Sequence, residues 1–585
     1  DVYKRQADVH QSARGRNVAV KISAMEKRLE HRFAAAGAEE NTASSAAGGF
    51  DGSDGGCGRR GMPRLGERAV DVEEDGAVIV HGGFLPSFLM QFFPYKEYSL
   101  STFVFPLASF VFPVYNQRRK ISQRSKIMAS KSHDLTHGPL VQQIILFSLP
   151  LMATNVLQVL FNMSDVAVVG QFAGPEALGS VGSTSILVSL FTGFLIGMGS
   201  GVNVVVARYI GARHDQDVHE AVHTSLILSL IVGVIIMALG FLFTPAMLSM
   251  LGTKPVLMAG AVSYLRIYCL GMPAMAVFNF GNAVLSAAGD TKKPLYFLSM
   301  AGVINILLNL FFVIVCHLAA AGVALASIIS QYISAALVIL SLRRSGSVVR
   351  LERSMLRIEP HKARQVLSLS IPAGLQNAIF AIANLFIQAG VNSFDEVMVE
   401  GNAAAANADA LVYDVMAAIY TACSSFMSQN YGAGKRKRII HSYFISMVFS
   451  FGIALVMSAL LVIFGRQFLG IFTNVEEVAQ AGMIRLRIMG CSYAFSAFMD
   501  CTIAANRGLG KSFVPTVIVI MGSCVFRIIW VYTVFAYFHT IESLYLLYIV
   551  SWAITAAAEM ICLRRVYREQ MQKLPPDIDG VKATA

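Results

Sequence analysis

The chain has 585 residues, of which 55% are hydrophobic and 14% are charged, and its formal net charge is +11. Soluble domains average about 25% charged residues, so this composition excludes an ordinary soluble enzyme, a disordered chain and a nucleic-acid-binding module. Few charges spread over so much apolar sequence indicate a membrane protein whose basic residues lie in loops.

The first 127 residues differ from the rest of the chain. They contain Gly-rich and Arg-rich stretches such as Gly48–Gly61, and neither helical nor strand periodicity persists through them. Met128 then precedes a short polar segment and a strongly apolar run. We expect translation to begin near Met128, which would make residues 1–127 a non-native or disordered extension.

From Leu140 onward, apolar segments long enough to cross a bilayer recur along the chain. Twelve are predicted, at 142–170, 176–206, 219–244, 256–286, 295–316, 320–342, 364–392, 402–428, 439–464, 476–505, 513–537 and 543–563. The sequence therefore predicts an all-α polytopic membrane protein with twelve transmembrane helices. We expect it in the lipid bilayer of the cytoplasmic (inner) membrane of the cell.

Basic residues distinguish the two sides of this predicted bundle. Alternate loops carry pairs and clusters of Lys and Arg, such as 435–438, whereas the loops between them carry Lys254 and Arg466. Because positively charged loops tend to stay in the cytoplasm, both termini are predicted to be cytoplasmic.

The two halves of the membrane region form an internal repeat. The aligned positions include Pro150 and Pro372, Asn162 and Asn384, Gly211 and Gly432, and Pro294 and Pro515. Each half contains six predicted spans, so both halves have the same orientation. They are predicted to form two lobes related by a pseudo-two-fold axis along the membrane normal, an arrangement found in transporters.

The repeat also sets the predicted organisation of the chain. The N-terminal lobe is expected at 128–342 and the C-terminal lobe at 364–565, followed by a cytoplasmic tail at 566–585. A basic cytoplasmic linker at 343–363 joins the lobes, and its apolar residues suggest a short helix lying on the membrane surface.

The first span carries a polar stripe of Asn155, Gln158, Asn162 and Asp165, whose spacings of three and four residues place them on one helix face. Lipid offers such a face no hydrogen-bond partners, so it is expected to point into protein or a water-filled cavity. A carboxylate can bind and release H⁺ or Na⁺, so Asp165 is the predicted ion-coupling residue and the candidate Na⁺ ligand. A row of structural hydrogen bonds between helices is the alternative interpretation.

Other polar residues within spans complete the candidates. Asn305 and Asn309 lie one turn apart in the fifth span, and with Asn162 and Asn279 they are assigned to the ion-coupling group. The residues assigned to a substrate cavity are Asn155, Gln158, Gln376, Asn377, Asn384, Gln388, Asp414 and Asp500. For Asp500 and Glu559, which lie near the predicted ends of their spans, contact with water is the alternative expectation.

The polar stripe is shared between the halves, but its acid is not. The repeat mate of Asp165 is Ile387, which favours ion coupling in the N-terminal lobe. Gly193 and Gly197 form a GxxxG pattern in the second span, which predicts close helix packing.

Several segments, taken together and in their order along the chain, resemble those of the multidrug and toxic compound extrusion (MATE) family over about residues 134–573. They include Asn162-Met-Ser-Asp165, Gly199-x-Gly201, Ile371-Pro372-Ala-Gly-Leu-Gln376, Ser428-Gln429-Asn430-Tyr-Gly432 and Arg507-Gly508-Leu-Gly510. The resemblance implies a two-lobe antiporter that exports small organic, often cationic, compounds in exchange for H⁺ or Na⁺, without another cofactor.

Individual residues match the family's pattern to different degrees. Asp165 matches the acid of the first helix, whereas Asn309 stands where one branch of the family has Asp. Another branch has Glu in the seventh helix, in the region of Gln376, and an acid in the tenth, about one turn from Asp500.

A flippase for lipid-linked oligosaccharide is the alternative function, which a larger basic cavity would favour. The intramembrane charges identified in the sequence are mainly acids, and this favours the drug exporter. A membrane enzyme would need a concentrated acid–base or metal site, for which a motif such as His-Glu-x-x-His is typical, and no enzyme is expected. The pattern occurs once, at His219-Glu220-Ala-Val-His223, at the start of the third predicted span. The expected partners are therefore small organic substrates and lipid, with no nucleic acid, and the expected assembly is a monomer.

Overall fold

A computed structural model of the chain describes residues 134–575. The predicted extension at 1–127 and residues 576–585 of the predicted tail lie outside this part. The helices, numbered in chain order, are α1 Leu140–Phe172, α2 Gly174–Ala212, α3 Asp215–Met250, α4 Pro255–Cys269, α5 Met272–Ala287, α6 Lys292–Val315, α7 Ala319–Arg343, α8 Pro360–Val391, α9 Glu396–Gly432, α10 Arg436–Leu469, α11 Glu476–Gly508, α12 Phe513–Phe538 and α13 Ile541–Lys573.

The predicted all-α membrane fold is confirmed. Eleven of these helices are long and apolar enough to cross a membrane, and α4 with α5 makes a twelfth span with a bend of 46°. The fourth span was expected to be one helix at 256–286. The break falls just before Pro273, whose missing backbone N–H interrupts the helical hydrogen bonds.

The linker between the lobes does not form the predicted surface helix. In the described part of the chain, α7 ends at Arg343, α8 begins at Pro360, and the segment between them contains a single 3₁₀ turn, Arg353–Met355. Val349 and Leu351 are buried in the core rather than turned toward lipid. The expectation of a surface helix was wrong because these apolar side chains pack against protein.

Glycines bring α2 of the first lobe against α8 of the second. A Cβ atom at Gly197 would lie 2.5 Å from the carbonyl oxygen of Ala373, and one at Gly193 would lie 3.5 Å from Asn377 Cβ. The packing predicted from the GxxxG pattern is therefore confirmed, and it joins the two lobes.

A reciprocal glycine crossing, formed by Gly211 and Gly432, joins α2 to α9. A Cβ atom at Gly211 would lie 2.0 Å from the Gln429 carbonyl oxygen, and one at Gly432 would lie 2.0 Å from that of Arg208. Gly211 and Gly432 are aligned in the internal repeat. The backbone of each lobe therefore packs against the equivalent glycine of the other lobe. This reciprocity is what a pseudo-two-fold axis requires.

The lobes meet toward one side of the membrane. We call the face that carries loops 213–214, 344–359 and 433–435 the linker face, and the opposite one the distal face. The hydrogen bonds between lobes in the described structure run from mid-helix, at Asn155 and Asn377, to the linker face. No hydrogen bond in the described structure joins the lobes through the distal halves of α1, α2, α8 and α9, and we refer to the region between these halves as the cleft.

Candidate functional site

Asp165 on α1 lies at the centre of a polar network that joins three helices. Asn309 on α6 donates a hydrogen bond of 2.5 Å to Asp165 Oδ1, and Ser327 on α7 donates one of 2.9 Å to Oδ2. Asn305 also belongs to the network, because its amide nitrogen lies 3.4 Å from Ser327 Oγ and its carbonyl oxygen 3.2 Å from Asn309 Nδ2. The amides and the hydroxyl can orient and stabilise a carboxylate but cannot neutralise it.

The carboxylate of Asp165 has no cationic partner within the described part of the chain. Among residues 134–575, no Lys, Arg or His lies within ion-pair distance of it. An unpaired carboxylate in a membrane is costly, and such residues commonly mark ion pathways. The network can therefore exchange a cation without first breaking an ion pair.

Asn309 provides a further acceptor beside the acid. Its Oδ1 atom is buried and accepts no hydrogen bond within the described part of the chain. A buried acceptor without a partner costs free energy. A proton on Asp165, or a cation held by carboxylate and amide oxygens, would satisfy it.

The structure brings together three of the five residues assigned to ion coupling. Asp165, Asn305 and Asn309 form the network, whereas Asn162 is exposed and Asn279 donates to the Met275 carbonyl of its own helix at 3.0 Å. On α4, Tyr264 and Tyr268 stack with ring centroids 5.9 Å apart.

Two of the residues assigned to a substrate cavity bridge the lobes. Asn155 donates to the Asp414 carbonyl at 2.8 Å, and Asn377 donates to the Gly193 carbonyl at 3.1 Å. The contact of Asn155 favours the structural alternative given for the first-span stripe, and Asn377 makes the same kind of contact between the lobes. Gln158 and the side chain of Asp414 are half-buried.

The other cavity candidates lie within the C-terminal lobe. Gln376 is buried and accepts from Arg507 Nη2 at 2.7 Å, and Gln388 pairs with Asn402 at 3.2 Å. Asn384 alone among these candidates has an exposed side chain. Asp500 accepts a hydrogen bond of 2.8 Å from Ser496 Oγ.

Burial excludes the simple contact with water expected for two acids. Asp500 is 9% exposed and Glu559 is 0% exposed. Asn506 donates to Glu559 at 2.9 Å, which leaves the other carboxyl oxygen of Glu559 without a partner in the described structure.

The C-terminal lobe also buries arginines that the sequence reasoning missed. Arg485 on α11 forms an ion pair of 2.5 Å with Asp409 on α9 and donates to Asn402 at 2.5 Å. Arg527 on α12 is 2% exposed. The acids within the spans of this lobe are therefore accompanied by buried arginines, which the sequence reasoning did not take into account. Both arginines fall within predicted spans, and the high cost of a charge in lipid was the signal that could have identified them.

Comparisons with known proteins agree with this architecture. The model of a family described as MatE matches residues 150–311 and 372–533. The chain is 27% identical over 365 residues to "Probable multidrug resistance protein YpnP" from Bacillus subtilis, covering 62% of this chain and 82% of that protein. It is 25% identical over 370 residues to a "FAD transporter" from Shewanella oneidensis, covering 62% and 80%.

A solved structure shares the fold. "Crystal structure of MATE in complex with MaL6" superimposes with a TM-score of 0.71 at 22% identity, covering 76% of this chain and 100% of that chain.

Proposed function

This chain belongs to the MATE family, and on that premise we propose that it is an antiporter that exports organic compounds in exchange for H⁺ or Na⁺. Transporters of this family are ion-coupled and are not enzymes. The observation that supports antiport most directly is the Asp165 network, a carboxylate held by neutral donors beside an unpaired amide oxygen. A single chain supplies both lobes, so a monomer is the functional unit.

Binding of the coupling ion is expected to change which groups donate and accept hydrogen bonds around Asp165. Ionised Asp165 accepts hydrogen bonds from Asn309 and Ser327. A protonated carboxyl group must donate one, and Asn309 Oδ1 is the acceptor available to it. Na⁺ would instead draw the carboxylate and amide oxygens together. Either change alters how α1 contacts α6 and α7, and alternating access couples that change to the lobes.

The basic loops support a cytoplasmic location for the linker face and for both ends of the membrane region. With that orientation the described contacts close the cytoplasmic side, and the cleft faces outward. The bound compound leaves through the cleft, and the ion then enters to reach Asp165.

A relative is named as a probable multidrug resistance protein, which supports drugs as the exported compounds. Another relative is named as an FAD transporter, which supports compounds that carry phosphate. The basic residues of the C-terminal lobe also favour a second candidate, a flippase for lipid-linked oligosaccharide. The exporter is preferred because Asp409 neutralises Arg485 and the lobe also buries Asp500 and Glu559, so its interior is not broadly basic.

Purified protein in liposomes is expected to move a fluorescent organic substrate against its gradient when an inward H⁺ or Na⁺ gradient is imposed. Each ion gradient is clamped separately, and dissipating it with an ionophore provides the control. Transport at the same rate without any ion gradient would contradict antiport. Movement of lipid-linked oligosaccharide, with no movement of small compounds, would favour the flippase.

Alternating access predicts that a disulfide across the lobe interface stops transport. Asn203 Oδ1 on α2 and Ser425 Oγ on α9 are 2.9 Å apart near the linker face. In a variant whose other cysteines are replaced, oxidised N203C/S425C is expected to lose at least about 90% of its transport, because opening the linker face must separate these residues. Reduction should restore it, and each single cysteine variant is the control. Full activity of the cross-linked protein would exclude opening at this interface.

A further inference from the structure

The C-terminal lobe contains a second polar cluster on the three helices that the repeat makes equivalent to those of the Asp165 network. Arg527 on α12 lies with its Nη1 atom 3.5 Å from Asn384 Oδ1 on α8 and donates from Nε to Ser551 Oγ on α13 at 3.3 Å. These helices are the repeat mates of α6, α1 and α7, which form the Asp165 network. The same three-helix arrangement therefore holds a guanidinium group in one lobe and a carboxylate in the other.

A local change in helix geometry explains why Arg527 occupies this position. It lies twelve residues after Pro515, whereas Asn305 lies eleven residues after the aligned Pro294. The π-turn Ile520–Val525 lies between Pro515 and Arg527. A π-turn adds one residue to the helical repeat, so Arg527 comes to the level that Asn305 has in the first lobe, and such turns often occur at functional sites.

The guanidinium group of Arg527 has spare binding capacity. Its Nη2 atom is buried without a hydrogen-bond partner, and no carboxylate lies within ion-pair distance of it among the described residues. Asp500 acts on it only at longer range. The rings of Tyr548 and Trp552, whose centroids are 4.6 and 5.5 Å from the guanidinium carbon, hold the group in place. Arg485, by contrast, is neutralised by its own acid.

Asn384 connects this cluster to the cleft between the lobes. It lies seven residues after Asn377 on α8, so both residues are on one helix face. Asn377 bonds across to Gly193 of the other lobe, whereas Asn384 lies two turns farther toward the distal face and is exposed. A ligand in the cleft would thus meet Asn384 first and the guanidinium behind it.

We propose that Arg527, Asn384 and Ser551 form an anion-recognition site, which binds a carboxylate or phosphate group of the exported compound. A guanidinium group presents parallel N–H donors that match both groups, and its charge persists at any physiological pH. This inference rests on the proposed export function and names its substrate class, organic compounds bearing an anionic group. The cation-exchanging carboxylate and the anion-recognising guanidinium lie in different lobes, so cargo and coupling ion need not compete for one group.

The test compares matched probes in the proteoliposome assay. Riboflavin 5′-phosphate is paired with riboflavin, and coumarin-3-carboxylate with coumarin, while ethidium serves as a cation. We expect Arg527→Gln to lower export of the anionic member of a pair by about 10-fold or more and to change ethidium export by less than about two-fold. The two pairs separate phosphate from carboxylate recognition. Arg487→Gln, at an exposed arginine of the same lobe, is the matched control.

Equal loss of all probes by a folded Arg527→Gln variant, or no loss, would overturn the proposal. Arg527→Lys, which keeps the charge but not the fork of donors, should retain partial export of the anionic probes. If neither variant folds, binding to the unmodified protein decides: riboflavin 5′-phosphate must bind at least about 10-fold more tightly than riboflavin, and equal binding overturns the site. Ion-driven ethidium export without export of any anionic probe refutes this site alone, whereas no ion-driven export of any probe refutes the antiporter.

Discussion

Replacing Asp165 by Asn is expected to abolish export driven by an ion gradient. Asn has nearly the same shape as Asp and can still contact Asn309 and Ser327. Its amide does not take up a proton at physiological pH and does not supply a charged ligand to Na⁺. Because coupling depends on the differential affinity of the ion for two states, its loss should lower gradient-driven transport by about 100-fold. The effect is measured as the rate of substrate transport in proteoliposomes under a clamped H⁺ or Na⁺ gradient.

Two variants control this experiment. Asn162→Ala removes an exposed polar side chain one turn earlier on α1, so it should retain near-normal coupling. Ser327→Ala removes one donor of the network and should give an intermediate loss. Substrate binding by Asp165→Asn, measured in detergent, is expected to persist. Normal ion-driven export by this variant would remove Asp165 from the mechanism.

Replacing Asp409 by Asn is expected to destabilise the C-terminal lobe strongly. Arg485 is buried, and its charge is balanced by Asp409. Removing one partner of a buried ion pair leaves a charge without compensation and typically costs about 3–5 kcal/mol. A clearly lowered midpoint of thermal unfolding of the purified protein in detergent would report the loss.

The matched control is Asp414→Asn on the same helix, where no ion pair within the described structure is lost. The double variant Asp409→Leu/Arg485→Met should recover most of the stability, since it removes both charges together. If Asp409→Asn unfolds at the same temperature as the unmodified protein, Arg485 does not depend on Asp409 for its charge balance.

The main features of the fold and three of the four residues of the Asp165 network followed from sequence patterns. Apolar length predicted the spans, and spacings of three and four residues selected Asp165, Asn305 and Asn309. Ser327 was missed because a serine in a membrane helix is too common to identify without its partner. Asn162 shares the predicted helix face but is exposed and lies outside the network. A helix face is broad, and its rotation relative to neighbouring helices depends on packing that sequence spacing does not report.

The pairing of charges could not be derived from the sequence either. Arg485 and Asp409 lie 76 residues apart on different helices, and their contact depends on how α9 packs against α11. The π-turn before Arg527 shifts the helix by one residue, so aligning the repeats residue by residue places Arg527 off the equivalent face. Such a turn leaves no distinct signature in an apolar segment.

The reciprocal crossing of Gly211 and Gly432 also has a consequence for the energy of opening. Interlocked side chains must change rotamers before two helices can part, whereas glycine surfaces are smooth and need no such rearrangement. Separation there exposes mainly backbone and a few polar bonds, such as Asn203 with Ser425, whose groups water can solvate. The linker face is thus held by close backbone packing that can separate without a prior rearrangement of side chains.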